Sequence, residues 1–300
     1  MTAPKSKELS RRGFIKCLSA SAMAGATLKF TAGPAAASEA AAGQSWGTLI
    51  DLTRCTGCES CVLACKQNNR LPNPEITATQ LDSDAYTCLE KRKTGPIQIH
   101  YVKRQCMHCL HPACVSACTV GALRKTAAGP VVYDDSKCIG CRYCQYACPF
   151  GVPTFDWESP LGLIHKCQFC QARLDQGQKP ACAEACPNGA LRCGRREELL
   201  AQARAQIISN PGRYVDHIYG EHEAGGTSML YLSAIPFAEL GFPELGSEPI
   251  PQKAENVMAQ TPLIALTVAA VASSLAWFLQ RREKLAQLSI AVKDHQEDQA

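Results

Sequence analysis

Sixteen of the chain's 19 cysteines fall into four groups of four. Group one is Cys55, Cys58, Cys61 and Cys65, spaced C-x2-C-x2-C-x3-C. Group three, Cys138, Cys141, Cys144 and Cys148, repeats that spacing and adds Pro149. Group two, Cys106, Cys109, Cys114 and Cys118, and group four, Cys167, Cys170, Cys182 and Cys186, are stretched versions of it. Thiols at this density bind metal or cross-link the chain, and the spacing discriminates between the two. Three cysteines stand apart. Cys17 belongs to the N-terminal segment, and Cys88 and Cys193 read as free or buried thiols.

The spacing of groups one and three is that of bacterial [4Fe–4S] sites. Three closely spaced thiolates wrap one face of a cubane, and the amides between them can point at its sulfurs. In two-cluster ferredoxins the fourth cysteine serves the other cluster. An internal repeat strengthens the reading: Cys114 to Leu123 matches Cys182 to Leu191, with Thr119 where the second copy has Pro187. Two alternatives from another class remain at this point: an anchored scaffold held by disulfides, or one held by structural zinc. Zinc sites do not usually run C-x2-C-x2-C-x3-C-P. His108 and His111 read as hydrogen-bond donors around group two rather than iron ligands. Arg104, Arg142 and Lys166 lie near the groups and are candidate tuners of cluster potential, against the simpler reading of solvated charge.

The two ends carry addresses. Ser10-Arg11-Arg12-Gly13-Phe14-Ile15-Lys16 reads as a twin-arginine export signal over residues 1–37, with small-residue cleavage positions at Ala35-Ala36-Ala37 and Ala40-Ala41-Ala42. That route carries folded proteins, as a chain loaded with clusters in the cytoplasm requires. Residues 261–280 hold no charge and are long enough for one transmembrane helix. Arg281, Arg282 and Lys284 follow at once, which puts the tail (281–300) in the cytoplasm and the body on the periplasmic face.

The net charge of +4 comes from residues 1–42, where six basic residues meet two acidic ones. The other 258 residues hold 25 of each sign. A basic face for nucleic acid is therefore not expected. No phosphate loop, zinc-protease helix or nucleophile elbow occurs, so no catalytic residue is named. Residues 45–195 read as the cluster-bearing unit, α+β with much loop. Thr48–Leu52, Ile97–Val102 and Pro130–Tyr133 are expected strands. Residues 196–255 read as an amphipathic helix (196–209) and then a Gly- and Pro-rich extended arm leading to the membrane.

The groups, the phrase Cys106-Met107-His108-Cys109 and the stretch Tyr219-Gly220 to Gly225-Gly226-Thr227 resemble the four-cluster electron-transfer subunits of periplasm-facing respiratory oxidoreductases. Cys141-Arg142-Tyr143-Cys144, His165-Lys166-Cys167 and Arg196-Glu197-Glu198-Leu199 look like the hydrogenase 2 type. Gln178-Lys179-Pro180-Ala181-Cys182 and Gly226 to Tyr231 look like the beta subunit of respiratory formate dehydrogenase. The export signal tilts the choice to the hydrogenase type. The resemblance implies a duplicated ferredoxin-like fold, two units of two [4Fe–4S] clusters each. It pairs Cys55, Cys58 and Cys61 with Cys186, and Cys167, Cys170 and Cys182 with Cys65. It likewise pairs Cys106, Cys109 and Cys114 with Cys148, and Cys138, Cys141 and Cys144 with Cys118. The implied partners are a metal-containing catalytic subunit, an integral membrane quinone-reactive subunit and membrane lipid. The chain itself is expected to be an accessory subunit with no turnover of its own, because the clusters carry the chemistry.

Overall fold

The computed structural model describes residues 45–95, 98–159 and 162–297. The export signal expected over 1–37 lies outside them. In chain order the elements are β1 (Trp46–Asp51), α1 (Ser60–Asn69), β2 (Thr87–Thr94), β3 (Gln98–Gln105), α2 (Ala113–Ser116), β4 (Leu123–Lys125) and β5 (Val131–Tyr133). There follow α3 (Tyr143–Ala147), β6 (Thr154–Phe155), β7 (Ile164–His165), α4 (Gln171–Leu174), α5 (Ala181–Glu184), β8 (Leu191–Arg195), α6 (Arg196–Ser209), β9 (Met229–Leu232) and α7 (Gln252–Glu297). The class is α+β, as the sequence indicates. Most helices are single turns, because each cysteine run needs its loop free to curl around a site.

β1 is the centre of a three-stranded sheet. It pairs antiparallel with β8 (Ile50 opposite Leu191) and parallel with β9 (Ile50 opposite Tyr231). A strand covered on both faces must be apolar on both faces, and Gly47 to Asp51 are all buried. On one face Leu49, Leu230 and Leu232 meet Leu199, Leu200 and Ala203 of α6. On the other, Ile50, Leu191, Met229 and Tyr231 join the main core with Val62, Leu89, Val102 and Phe169. β2 and β3 form a separate antiparallel pair running from Thr87 opposite Gln105 to Thr94 opposite Gln98. β4 pairs with β5, and β6 with β7, each antiparallel.

The helix expected over 196–209 forms as α6, with Glu197 and Glu198 in its first turn where the helix dipole favours them. The extended arm does not form as expected. Residues 213–249 fold back on the body instead: β9 lies within the central sheet, and Tyr219, Tyr231, Phe237, Leu240 and Phe242 are buried. Their rings pack edge-on or tilted, Tyr219 against Phe242 at 4.7 Å and Tyr231 against Phe242 at 5.0 Å. The glycines and prolines make the reversals that return these aromatic side chains to the core.

α7 is a single helix with Pro262 inside it, and an 18-residue window within its stretch Gln252–Leu288 reaches a mean hydropathy of 2.0. That is long and apolar enough to cross a membrane. Leu263, Leu266, Val271, Leu275 and Phe278 are exposed on its several faces, as a helix apolar all round must be before it meets lipid or protein. Its hydroxyls are satisfied locally: Thr261 Oγ1 donates to Val257 O at 2.9 Å, and Ser274 Oγ to Ala270 O at 2.8 Å.

Leu230 has no exposed surface and sits between β1 and α6. Leu230→Ala is expected to cost about 2–5 kcal/mol, read as a lower Tm of the purified protein. An unchanged melting curve would show that β9 is not part of the folding core.

Candidate functional site

The cysteine loops share a backbone. Gly57 and Gly140, each one residue before the second cysteine of its group, have φ of 76° and 68°. Glu59 and Arg142, each one residue after it, have φ of 61° and 62°. Non-glycine residues held left-handed cost about 1–3 kcal/mol each and persist where the surroundings demand them. Here the demand is that the three thiols of one loop turn inward. Amides turn with them: Gly140 N–H donates to Cys138 Sγ at 3.4 Å, and Phe169 N–H to Cys167 Sγ at 3.4 Å. Asn69 Nδ2 donates to Cys65 Sγ at 3.5 Å, and Asn68 Nδ2 to Cys170 Sγ at 3.7 Å.

The sixteen grouped thiols gather across the groups rather than within them. Cys55, Cys58, Cys61 and Cys186 line one recess. Cys65, Cys167, Cys170 and Cys182 line a second. For the remaining eight, mutual repulsion identifies the neighbours. Burial and then Cys106, Cys148 and Cys114 push the Cys109 thiol far above its usual range. Burial and then Cys118, Cys138 and Cys141 push Cys144 up to about 11. The quartets are here called sites one (Cys55 set), two (Cys65 set), three (Cys109 set) and four (Cys144 set).

The sites also adjoin one another in that order. Cys61 of site one feels Cys182 of site two, Cys167 of site two feels Cys106 of site three, and Cys114 of site three feels Cys144 of site four. Burial raises most of these thiols; Cys61 reaches about 11 and Cys65 about 12. Exposed Cys58 is the exception, lowered by hydrogen bonds from Ser60. The buried thiols therefore hold protons at neutral pH, and metal loading must release them. All eighteen described cysteines are free, which removes the disulfide framework as the fold's staple.

Several features fit an anionic sulfur-rich group. Lys103 is 2% exposed and lines both the first and second recesses. Its ammonium donates to Thr87 Oγ1 at 2.6 Å and to Gln105 Oε1, both neutral. Burying a charge without a counter-charge costs on the order of several kcal/mol. Burial alone would lower the pKa of Lys103, yet Cys182 and Cys61 hold it above the usual lysine value. The groups that face its charge are thiols, which would answer it as thiolates once metal loading released their protons. Lys166, also buried, donates to Val131 O at 2.6 Å and Cys167 O at 2.9 Å. His108 Nδ1 accepts from Val131 N–H at 3.0 Å, and burial keeps the ring neutral. Its Nε2–H is then a buried donor with no protein partner, one residue from Cys109. Among the described residues no three His, Cys, Asp or Glu side chains close in far enough for a single metal ion. Thiol quartets spread too widely for one ion suit a polynuclear group better than zinc.

Of the tuners expected from sequence, Lys166 is buried, bonded to the carbonyl of Cys167 of site two and acting on Cys114 of site three. Arg104 instead pairs with Glu90 at 3.3 Å and covers the Phe242 ring at 4.4 Å. Arg142 lies over Phe155 and Trp157 at 5.1 and 4.7 Å. His111 is half-buried. Cys88 is fully buried on β2, its thiol pushed up to about 11 by burial and Glu90. Cys193 is pushed to about 12, chiefly by burial. Lys103 is not among the tuners that the sequence suggests. Its signal was the alternation of β3, which puts Tyr101, Lys103 and Gln105 on one face.

A family model described as a 4Fe–4S dicluster domain matches residues 97–196. A protein of Nitratidesulfovibrio vulgaris is 41% identical over 255 residues, covering 81% of this chain and 69% of its own length. The hydrogenase-2 operon protein HybA of Escherichia coli O157:H7 is 36% identical over 293 residues, covering 83% and 88%. The iron–sulfur subunit of the nitrate-inducible formate dehydrogenase of Escherichia coli K12 is 32% identical over 198 residues, covering 61% and 66%.

A Cβ at Gly57 would fall on the Tyr101 ring, at a φ of +76° that side chains rarely adopt. Gly57→Ala is expected to distort the first recess and lower the iron bound per chain, while the rest of the chain stays loaded. Full iron content in that variant, by metal analysis against protein, would show that the loop tolerates the change.

Proposed function

The chain belongs to the family of iron–sulfur electron-transfer subunits of multi-subunit oxidoreductases, and from this premise we propose that it holds four [4Fe–4S] clusters in one row. The ligands are Cys55, Cys58, Cys61 and Cys186 at site one, and Cys65, Cys167, Cys170 and Cys182 at site two. At site three they are Cys106, Cys109, Cys114 and Cys148, and at site four Cys118, Cys138, Cys141 and Cys144. The fold is then a duplicated ferredoxin, each half crossing its cysteines between two sites. The observation that carries this reading is the pair of recesses, each walled by four thiols from two distant groups, with Lys103 lining both.

When bound, the clusters supply one-electron transfer. The chain's own residues do the rest. The cysteine loops fix the order of the sites, the core of β1, β8 and β9 excludes water, and buried lysines balance the negative charge. No residue makes or breaks a bond in a small substrate.

The same reading gives the chain its place. Residues 1–37 direct folded export by the twin-arginine route. α7 anchors the chain in the membrane with Arg281, Arg282 and Lys284 on the cytoplasmic side, so the body faces the periplasm. Electrons pass between a metal-containing catalytic subunit of the hydrogenase type and an integral membrane subunit that reacts with quinone. The coverage of HybA, at 88% of its length, favours the hydrogenase type. The formate dehydrogenase relative supports a second reading, a beta subunit beside a molybdenum enzyme.

Metal analysis of the detergent-solubilised complex, purified through a tag on this chain, tests both. About 16 iron atoms per chain are expected from four cubanes, with iron of the partners subtracted. Nickel in the complex supports the hydrogenase reading, and molybdenum or tungsten replaces it with the formate dehydrogenase reading. Zinc in place of iron contradicts the electron-transfer account.

A further inference from the structure

We propose that Lys103 is a shared electrostatic bridge that raises the reduction potentials of the clusters at sites one and two together. The inference rests on the cluster reading above and goes beyond it, by giving one side chain control over two of the four steps.

The geometry is specific to this lysine. It lines both recesses, which are walled by different cysteine quartets, and its ammonium is fully buried beside them. Its charge acts on thiols of both: Cys55 and Cys61 in site one, Cys65 and Cys170 in site two. The two hydrogen-bond acceptors it has, Thr87 Oγ1 and Gln105 Oε1, are neutral. No carboxylate is paired with it among the described residues. The full positive charge is therefore available to whatever the recesses hold. The other buried lysines line neither recess: Lys66 donates to the carbonyls of Pro72 and Asn73, and Lys166 to those of Val131 and Cys167.

The direction of the effect follows from charge. Reducing a cubane adds one electron to a group that is already anionic. A fixed cation in a low-dielectric interior stabilises the reduced form more than the oxidised one and raises the potential. One cation between two such sites raises both. A packing role for the lysine stem predicts no such shift.

The test is a redox titration of the intact, detergent-solubilised complex, followed by electron paramagnetic resonance. Lys103→Met keeps the stem and removes the charge, and Lys103→Arg keeps the charge. In Lys103→Met two of the four [4Fe–4S] potentials are expected to move to more negative values, with the other two as internal controls. Lys103→Arg is expected to leave all four near wild type. Gln105→Glu provides a variant that retains the lysine, if the methionine protein does not fold. It places a carboxylate on the ammonium, and the site-one potential, whose recess Gln105 does not line, is expected to fall. Unmoved potentials in Lys103→Met, or an equal shift of all four, would overturn the bridge. Wild-type complex without cubane signals would overturn the cluster reading itself, which is a separate result.

Discussion

A buried ammonium needs negative charge close by, and among the described residues the groups that act on Lys103 are chiefly cysteine thiols. That requirement organises the middle of the molecule. Asp and Glu are absent from both recesses that Lys103 lines, except Glu59 at the rim of the first. Side chains with neutral oxygens, Thr87 and Gln105, hold the ammonium in place. Free thiols alone answer the charge poorly, because burial and mutual repulsion keep them protonated. Anionic clusters answer it fully. The cation and the thiol quartets are thus two halves of one electrostatic arrangement, each costly without the other.

The rest of the architecture serves that arrangement. Loops that curl around sites cannot supply long helices or wide sheets. The stabilising apolar surface therefore comes from β1, sandwiched between β8 and β9, and from the helix α6 behind it. The return of residues 213–249 to the body adds the aromatic set of Tyr219, Tyr231, Phe237 and Phe242. Tyr231 also ties this set to the site, since its hydroxyl donates to Lys103 O at 2.9 Å. The chain then leaves the body into a helix whose central span is apolar on every side, long and apolar enough to cross a membrane.

The sequence made the thiols legible because ligand spacing is local. Four cysteines within ten or twenty residues announce their chemistry without any knowledge of the fold. The helix α6 and the apolar span were legible for the same reason, periodicity and length. What crosses the chain was not. The partnership of Cys186 with the Cys55 loop joins residues more than a hundred apart, and only a likeness to other proteins suggested it. β9 was hidden because a four-residue parallel strand among glycines and prolines carries no local signature; its partner, β1, lies far upstream. Lys103 was hidden by its neighbour. Lys103 and Arg104 stand side by side in a basic strand, and alternation sends one to the clusters and the other to Glu90 and Phe242.

The central claim is the crossing of cysteines between groups. Serine substitutions read by the resonance signals of individual clusters test it most directly. Cys186→Ser is expected to alter the same signal as Cys58→Ser, and Cys65→Ser the same signal as Cys170→Ser. If Cys65→Ser and Cys58→Ser alter one shared signal, each group holds its own cluster and the account is wrong.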